Sequence, residues 1–339
     1  MGKGYSITID SGTSNTRIWL FDAGRNLVDM YKEPVGIRNS AIDGTNRRLV
    51  QCIHDGLERI LQHYELSWDD IVSIVASGMI TSELGLLEVP HLVAPVTMAD
   101  CAAHVDKVVL DAVCPLPILF IPGIKNAANG LDDGCYVDMD IMRGEETEAF
   151  ALLHHYDTDG EKLLILPGSH NKFVFVDGNG AITGCLTTMS GEILDCLTHD
   201  TIIADAVGHH FVKEAAYDRK LLLRGYEYCL HYGLGRTDFL TRILSLNTDW
   251  DDNQLANYIL GATLAMDIMA LKECSIWQSK KRTQAIIAGN VVTSRALKDL
   301  LEYDNVLEHV VIYKPTSDIP LSAQGAGLIA DLAQQQAQQ

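Results

Sequence analysis

Two separate parts of the chain each carry three short apolar runs of strand length in succession, divided by small polar turns. The first part reads YSITIDSGTSNTRIWLFDAGRNLVDMY from Tyr5 to Tyr31. Its spacing predicts strands over 6–10, 16–22 and 27–31, with turns at Ser11-Gly12-Thr13-Ser14-Asn15 and around Ala23-Gly24. The second part, residues 163–192, reads LLILPGSHNKFVFVDGNGAITGCLTTMSGE and predicts strands over 163–166, 172–177 and 181–187. Its first turn, Gly168-Ser169-His170-Asn171, uses the same small polar residue types.

After each triplet the spacing becomes helical. Leu49, Ile53, Leu57, Ile60 and Leu61 form one helical stripe over 46–64. A buried strand at 71–76, a short helix near 98–104 and a strand at 117–121 follow, and Pro122-Gly123 stops the last. An irregular stretch over 125–138 leads to a helix from about Gly144. In the second half a helix starts after Ser190-Gly191-Glu192, and extra helical material runs over 201–247. A long apolar helix at 255–271, a strand at 285–288, a helix at 294–302, a strand at 309–313 and a helix at 323–332 complete the chain. The order βββαβαβα thus occurs twice. It predicts an α/β fold of duplicated ribonuclease-H-like domains, 1–145 and 146–339, with an interdomain cleft. By analogy this is the actin/hexokinase-type arrangement.

A length of 339 residues suits two such domains. The net charge, 26 − 45 = −19, repels a polyanion and argues against nucleic acid as a partner. It does not exclude ATP, because backbone N–H groups and Mg²⁺ set the field at a bound phosphate. Eight cysteines occur without any C-x-x-C pair and mostly in apolar patterns, as expected of buried thiols in a reducing compartment. The chain enters a strand at once and has no signal-peptide pattern. No apolar run reaches the ~18 residues of a membrane span. The expectation is a cytoplasmic protein with no membrane partner, and homodimerisation is left open.

Four segments can carry chemistry. Asp10 ends a strand before a turn of Gly12, Thr13, Ser14 and Asn15, whose N–H groups and hydroxyls can cradle a phosphate while the carboxylate holds a hydrated Mg²⁺. An ordinary hairpin reads the same way. The turn at Gly168, Ser169 and His170, with Lys172 following, offers similar donors. Arg143-Gly144-Glu145-Glu146-Thr147-Glu148 opens a helix at the junction of the halves. There a carboxylate is favoured by the helix dipole or can act as a general base. Gly289-Asn290 ends a strand where an adenine ring can approach backbone. No P-loop and no HExxH helix is present.

Together IDSGTSNTRIWL, IMRGEETEAF, LPGSHNKFVFV, MSGE at 189–192 and SAQGAG at 322–327 resemble the 2-dehydro-3-deoxygalactonokinases, sugar-acid kinases of the actin/hexokinase superfamily. The resemblance implies Mg²⁺-dependent transfer of the ATP γ-phosphoryl group to the 6-hydroxyl of 2-dehydro-3-deoxy-D-galactonate. It makes Asp10 the metal-associated carboxylate, sets Thr13, Ser14, Gly168, Ser169, His170 and Lys172 around the phosphates, and puts Gly289, Asn290 and Gln324 near the adenosine. In the wider sugar kinases a G-D-x-x-A segment carries the catalytic Asp. Gly144-Glu145 stands in that place, which makes Glu145 the preferred base and Glu146 the reserve. Arg17 and Arg143 are candidates for the substrate carboxylate, and Gly78, Met79 and Ser82 for the sugar pocket. A kinase of another sugar acid or hexose, or a non-catalytic actin-like ATPase or regulatory module, are the alternatives.

Overall fold

The computed structural model describes residues 4–127, 135–156, 160–277 and 283–338. Part of the irregular stretch expected over 125–138, and Gln339 of the tail, lie outside them.

The first half opens with β1 (Tyr5–Ser11), β2 (Thr16–Phe21) and β3 (Leu27–Glu33). Two helices follow, α1 (Ile37–Asp43) and α2 (Arg47–His63), then β4 (Ile71–Gly78), β5 (Leu92–Val93) and α3 (Met98–Ala103). Next come β6 (Asp106–Val109), β7 (Pro117–Phe120), β8 (Ile124–Lys125), β9 (Ile141–Met142) and α4 (Glu145–His155). The second half has β10 (Lys162–Leu166), β11 (Asn171–Val176), β12 (Ile182–Thr188) and α5 (Ser190–His199). After it lie the helices α6 (Arg219–Tyr232), α7 (Leu234–Asn247) and α8 (Asp252–Glu273). The chain closes with β13 (Gln284–Ile287), α9 (Val291–Tyr303), β14 (His309–Ile312) and α10 (Leu321–Gln336).

The two large sheets share one topology. The first runs β3-β2-β1-β4-β7-β6 and the second β12-β11-β10-β13-β14. In each, three antiparallel strands precede two parallel ones, and only the antiparallel edge strand β6 is additional. This is the ribonuclease-H-like unit, present twice, in the actin/hexokinase-type arrangement. Several elements were not expected from the sequence, among them α1, which is short and lacks an apolar stripe, the exposed edge strand β6, and the two-residue strands β5, β8 and β9.

Alternation decides which face each strand buries. Ile7 and Ile9 of β1 are fully buried in a core with Leu49, Ile53, Leu57 and Ile60 of α2. A second core joins β10 and β11 to α8 and α9. A third lies between the sheets and contains Val75, Phe150, Leu164, Val174 and Ile329. Here the helices cross over. The last helix, α10, packs on α3, α4, β1 and β4 of the first half, while α4 reaches β10 of the second. A small sheet, β5-β8-β9, adds a further tie, because Asn126 beside it exchanges hydrogen bonds with the backbone of Cys185 on β12 at 2.8 and 2.9 Å.

Helix α8 is long and apolar enough by length and composition to cross a membrane, although polar residues interrupt its apolar run, and 78% of its apolar window is buried inside the fold. The seven cysteines whose side chains are described are free.

Candidate active site

The turn of the first hairpin is fixed from below. Ser11 and Thr16, both buried, share a hydroxyl hydrogen bond of 3.0 Å, and Thr16 donates to the Val35 carbonyl at 2.7 Å. Gly36, just before α1, lies against the turn, so a Cβ there would be 2.5 Å from the carbonyl oxygens of Gly12 and Thr13. The N–H groups of Ile37 and Arg38 donate to those two oxygens. With their carbonyls tied down, Thr13 and Ser14 stay exposed, and Gly12 and Asn15 partly so.

The second hairpin repeats this device. Gly191, in the first turn of α5, lies so close that a Cβ would be 2.0 Å from the Gly168 oxygen, and the Glu192 N–H donates to the Ser169 oxygen at 2.9 Å. Beneath the turn Asn171 receives the Gly168 N–H at 3.1 Å and donates to the buried carboxylate of Asp267 on α8 at 2.7 Å; Ser190 also donates to Asp267. Gly168, Ser169 and His170 are left exposed, and His170 lies 3.5 Å from Glu192. The equivalence extends to the neighbouring strand ends. A Cβ on Gly78, the last residue of β4, would be 2.8 Å from the Asp10 carboxylate, and one on Gly289, after β13, would be 2.8 Å from the Pro167 ring. Both glycines let the strand end approach its hairpin.

The acidic residues gather where β1, β4 and α4 meet. Gly144, with φ of 115°, brings the start of α4 against Gly78: a Cβ on it would be 3.2 Å from the Gly78 Cα. Asp10 is 17% exposed and pairs with Arg17 at 3.2 Å. Burial nevertheless pushes its carboxyl above the usual range; Arg17 pulls the other way and Glu145 adds to the rise. Glu145, 31% exposed at its side chain, accepts the Arg143 N–H at 3.0 Å and lies 3.9 Å from the ammonium of Lys172.

Successive side chains on a helix point about 100° apart, so the three glutamates of α4 differ. Glu146 is fully buried and folds back on the Gly144 N–H at 2.7 and 2.9 Å. Burial, aided by Glu145, raises its pKa to about 8. Glu148, one turn beyond Glu145, lines a cavity of about 500 Å³ with Pro167, Gly289 and Tyr313. Burial and the charges of Glu145 and Asp10 raise its pKa to about 8. Its i+3 spacing from Glu145 was the signal in the sequence that could have singled it out.

Of the expected site residues, Asp10, Arg17, Gly78, Glu145, Glu146 and Lys172 meet at this junction, whereas the side chains of Arg143, Ser82, Gln324 and Asn290 are engaged elsewhere. The Arg143 guanidinium donates to Thr81, to the Val89 carbonyl at 2.9 Å and to His91 at 3.1 Å, so it braces the 79–91 segment. Ser82 donates its hydroxyl to the Met79 carbonyl at 2.6 Å. Gln324 lies between the Ile319 carbonyl, 2.6 Å away, and His155, 2.7 Å away, in a cavity beside Thr8 and Arg25 that Gly289 does not line. Asn290 caps α9 through its side-chain oxygen, which accepts from Val292 and Thr293. It also lines a cavity of about 260 Å³ with Gly168, Leu194, Thr198, Phe211 and Thr293, most of which carried no motif in the sequence. Among the described residues no three His, Cys, Asp or Glu side chains are grouped to hold a metal ion.

The family model for 2-keto-3-deoxy-galactonokinase matches residues 10–313. A candidate 2-dehydro-3-deoxygalactonokinase from Sinorhizobium meliloti has a similar structure, with a TM-score of 0.72 and 20% identity over 97% of this chain and 98% of that one. That likeness is one of fold. A more remote match is the activator of the 2-hydroxyisocaproyl-CoA dehydratase from Clostridium difficile with bound ADPNP, at a TM-score of 0.47 and 13% identity over 98% and 97% of the two chains. No curated protein matches. Because the family model spans residues 10–313 of 339, the chain belongs to the 2-keto-3-deoxy-galactonokinase family, enzymes that phosphorylate a sugar acid.

Proposed function

We propose that this protein transfers the γ-phosphoryl group of ATP to the 6-hydroxyl of 2-dehydro-3-deoxy-D-galactonate. The observation that carries the reading is the pair of glycine-cushioned hairpin turns, one from each half, with a carboxylate cluster between them. In this reading the lobes, 1–145 and 146–339, hold sugar acid and nucleotide respectively. The cavity beside Gly168 and Asn290 takes the nucleoside, and its phosphates extend over the exposed turn N–H groups of both hairpins.

Mg²⁺ fits this setting. Such an ion keeps several waters and takes one or two carboxylates plus the phosphates, so a full cage of protein ligands is not needed. Asp10 would hold it, with Glu148 close enough to feel the charge of Asp10. The ion would supply charge neutralisation at the transferring group.

Glu145 is the proposed base. Its carboxylate is partly exposed, whereas Glu146 is buried, held on Gly144 and, with its raised pKa, a poor proton acceptor near neutrality. As the new O6–P bond forms and the bond to the β-phosphate oxygen breaks, Glu145 takes the hydroxyl proton and ADP departs. Arg17 is the cation proposed for the substrate carboxylate, because it is 37% exposed beside its pairing with Asp10, while the head group of Arg143 is held by Thr81, Val89 and His91. A coupled ADP-release assay over 2-keto-3-deoxy sugar acids and plain hexoses tests the reading. Turnover with the galactonate derivative is expected. Turnover only with another acid would change the substrate, and none at all would remove the kinase reading.

A further inference from the structure

The two hairpins carry cations at equivalent places. In the first, Arg17 stands opposite Asp10 across β1 and β2. In the second, Lys172 stands opposite Leu166 across β10 and β11. Arg17 therefore finds its carboxylate on its own hairpin, at 3.2 Å. Lys172 has no acid there and takes one from the other half of the chain.

Lys172 points away from the turn that its strand begins. Neighbouring strand residues face opposite sides. Asn171 faces α8, where it meets Asp267, and Lys172 faces the segment that leads into α4. Its ammonium, on a side chain only 5% exposed, donates to the Ile141 carbonyl at 2.8 Å and to the Thr187 hydroxyl, with Asp140 at 4.0 Å and Glu145 at 3.9 Å. Asp140 is itself held by the Thr187 hydroxyl at 2.7 Å. The ammonium is thus fixed by neutral acceptors and by a carboxylate that is fixed in turn. Across the junction the charges run Arg17, Asp10, Glu145, Lys172: two carboxylates flanked by the two equivalent cations.

We infer that Lys172 is a positioning residue for Glu145, reaching from the second hairpin across the junction to hold that carboxylate between the two lobes, and that it is not a phosphate ligand. This rests on the reading of Glu145 as the base. A buried ammonium, itself fixed by neutral acceptors, is a rigid point toward which a neighbouring carboxylate is drawn and aimed. It also makes the aim of the base depend on the relative position of the two hairpins, because one supplies the ammonium and the other, through Asp10, lies against Gly78, which touches the start of α4.

The test compares Lys172→Met, Lys172→Arg and Glu145→Gln in the full-length protein, reading kcat and KM for the sugar acid and the Kd for ATP by isothermal titration. Lys172→Met should lower kcat tenfold or more, with KM and the ATP Kd within about threefold of the parent. Lys172→Arg should restore part of kcat. A tenfold or larger weakening of ATP binding by Lys172→Met, or a kcat left unchanged, overturns the inference. Glu145→Gln separates the two levels: if it keeps full kcat the base reading has failed, whereas if it loses kcat while Lys172→Met does not, only the positioning role has failed. Should Lys172→Met not fold, Lys172→Arg alone decides: a lowered kcat with an unchanged ATP Kd supports the inference, and an ATP Kd weakened tenfold or more, or an unchanged kcat, overturns it.

Discussion

Gly325 on α10 and the carbonyl oxygen of Thr147 on α4 approach so closely that a Cβ on the glycine would sit 1.8 Å from that oxygen. The two helices cross in backbone contact directly beneath the acidic junction. Gly325→Ala should therefore force them apart and cost about 1–3 kcal/mol, the usual range for overpacking. Thermal unfolding checks this. Gly235→Ala, where the added methyl meets nothing within 4 Å, is the comparison and should leave the midpoint nearly unchanged.

Replacing Glu145 by Gln keeps its shape and removes its basicity. We expect kcat to fall by about 10²–10⁴ with ATP binding retained. Steady-state kinetics together with ATP titration measure both, and an unchanged kcat would withdraw Glu145 from its role.

Gly191 cushions the second hairpin turn, and its Cβ would fall 2.0 Å from the Gly168 oxygen. Gly191→Ala should displace that turn and weaken ATP binding tenfold or more, equal to about 1.4 kcal/mol. Isothermal titration reads this directly. Unaltered affinity would mean that the turn does not hold the phosphates.

Asp238 on α7 is 8% exposed, and its Oδ1 has no hydrogen-bond partner among the described residues. Burial pushes its pKa to about 7, above the ordinary carboxylate value of 3.8. The folded chain thus favours the protonated form. Its contribution to stability is complete below about pH 4 and is lost as the pH rises through about 7. Asp238→Asn should remove that loss, so that the variant gains on the parent in thermal midpoint between pH 5 and pH 8. Parallel pH profiles for the two proteins would count against it.

Local patterns carried the element order well, because β1, β2, β10 and β11 are short apolar runs bounded by turn residues and α2 shows an unbroken stripe. They failed where the structure depends on what lies opposite. Asp106–Val109 pairs only at an edge and buries little, so its sequence has no reason to alternate. Gly36, Gly191 and Gly325 look like ordinary turn or helix glycines until the backbone each one touches is known. The run of glutamates after Gly144 was legible as a site segment. Only the helix placement separates Glu145, facing Lys172, from Glu146, folded onto its own helix start, and from Glu148, in the cavity beside Gly289. The reach of Lys172 away from its own turn was hidden for the same reason.

The crossing of α4 and α10 also sets an order of events during synthesis. Helix α10 packs on both β1 and β4. Until residues 321–336 leave the ribosome, Val75 and Leu119 wait for the Ala326 and Ile329 side of their core. The first half of this protein is thus begun by β1 and finished only by α10, and a nascent chain halted before α10 should offer that open face to chaperones.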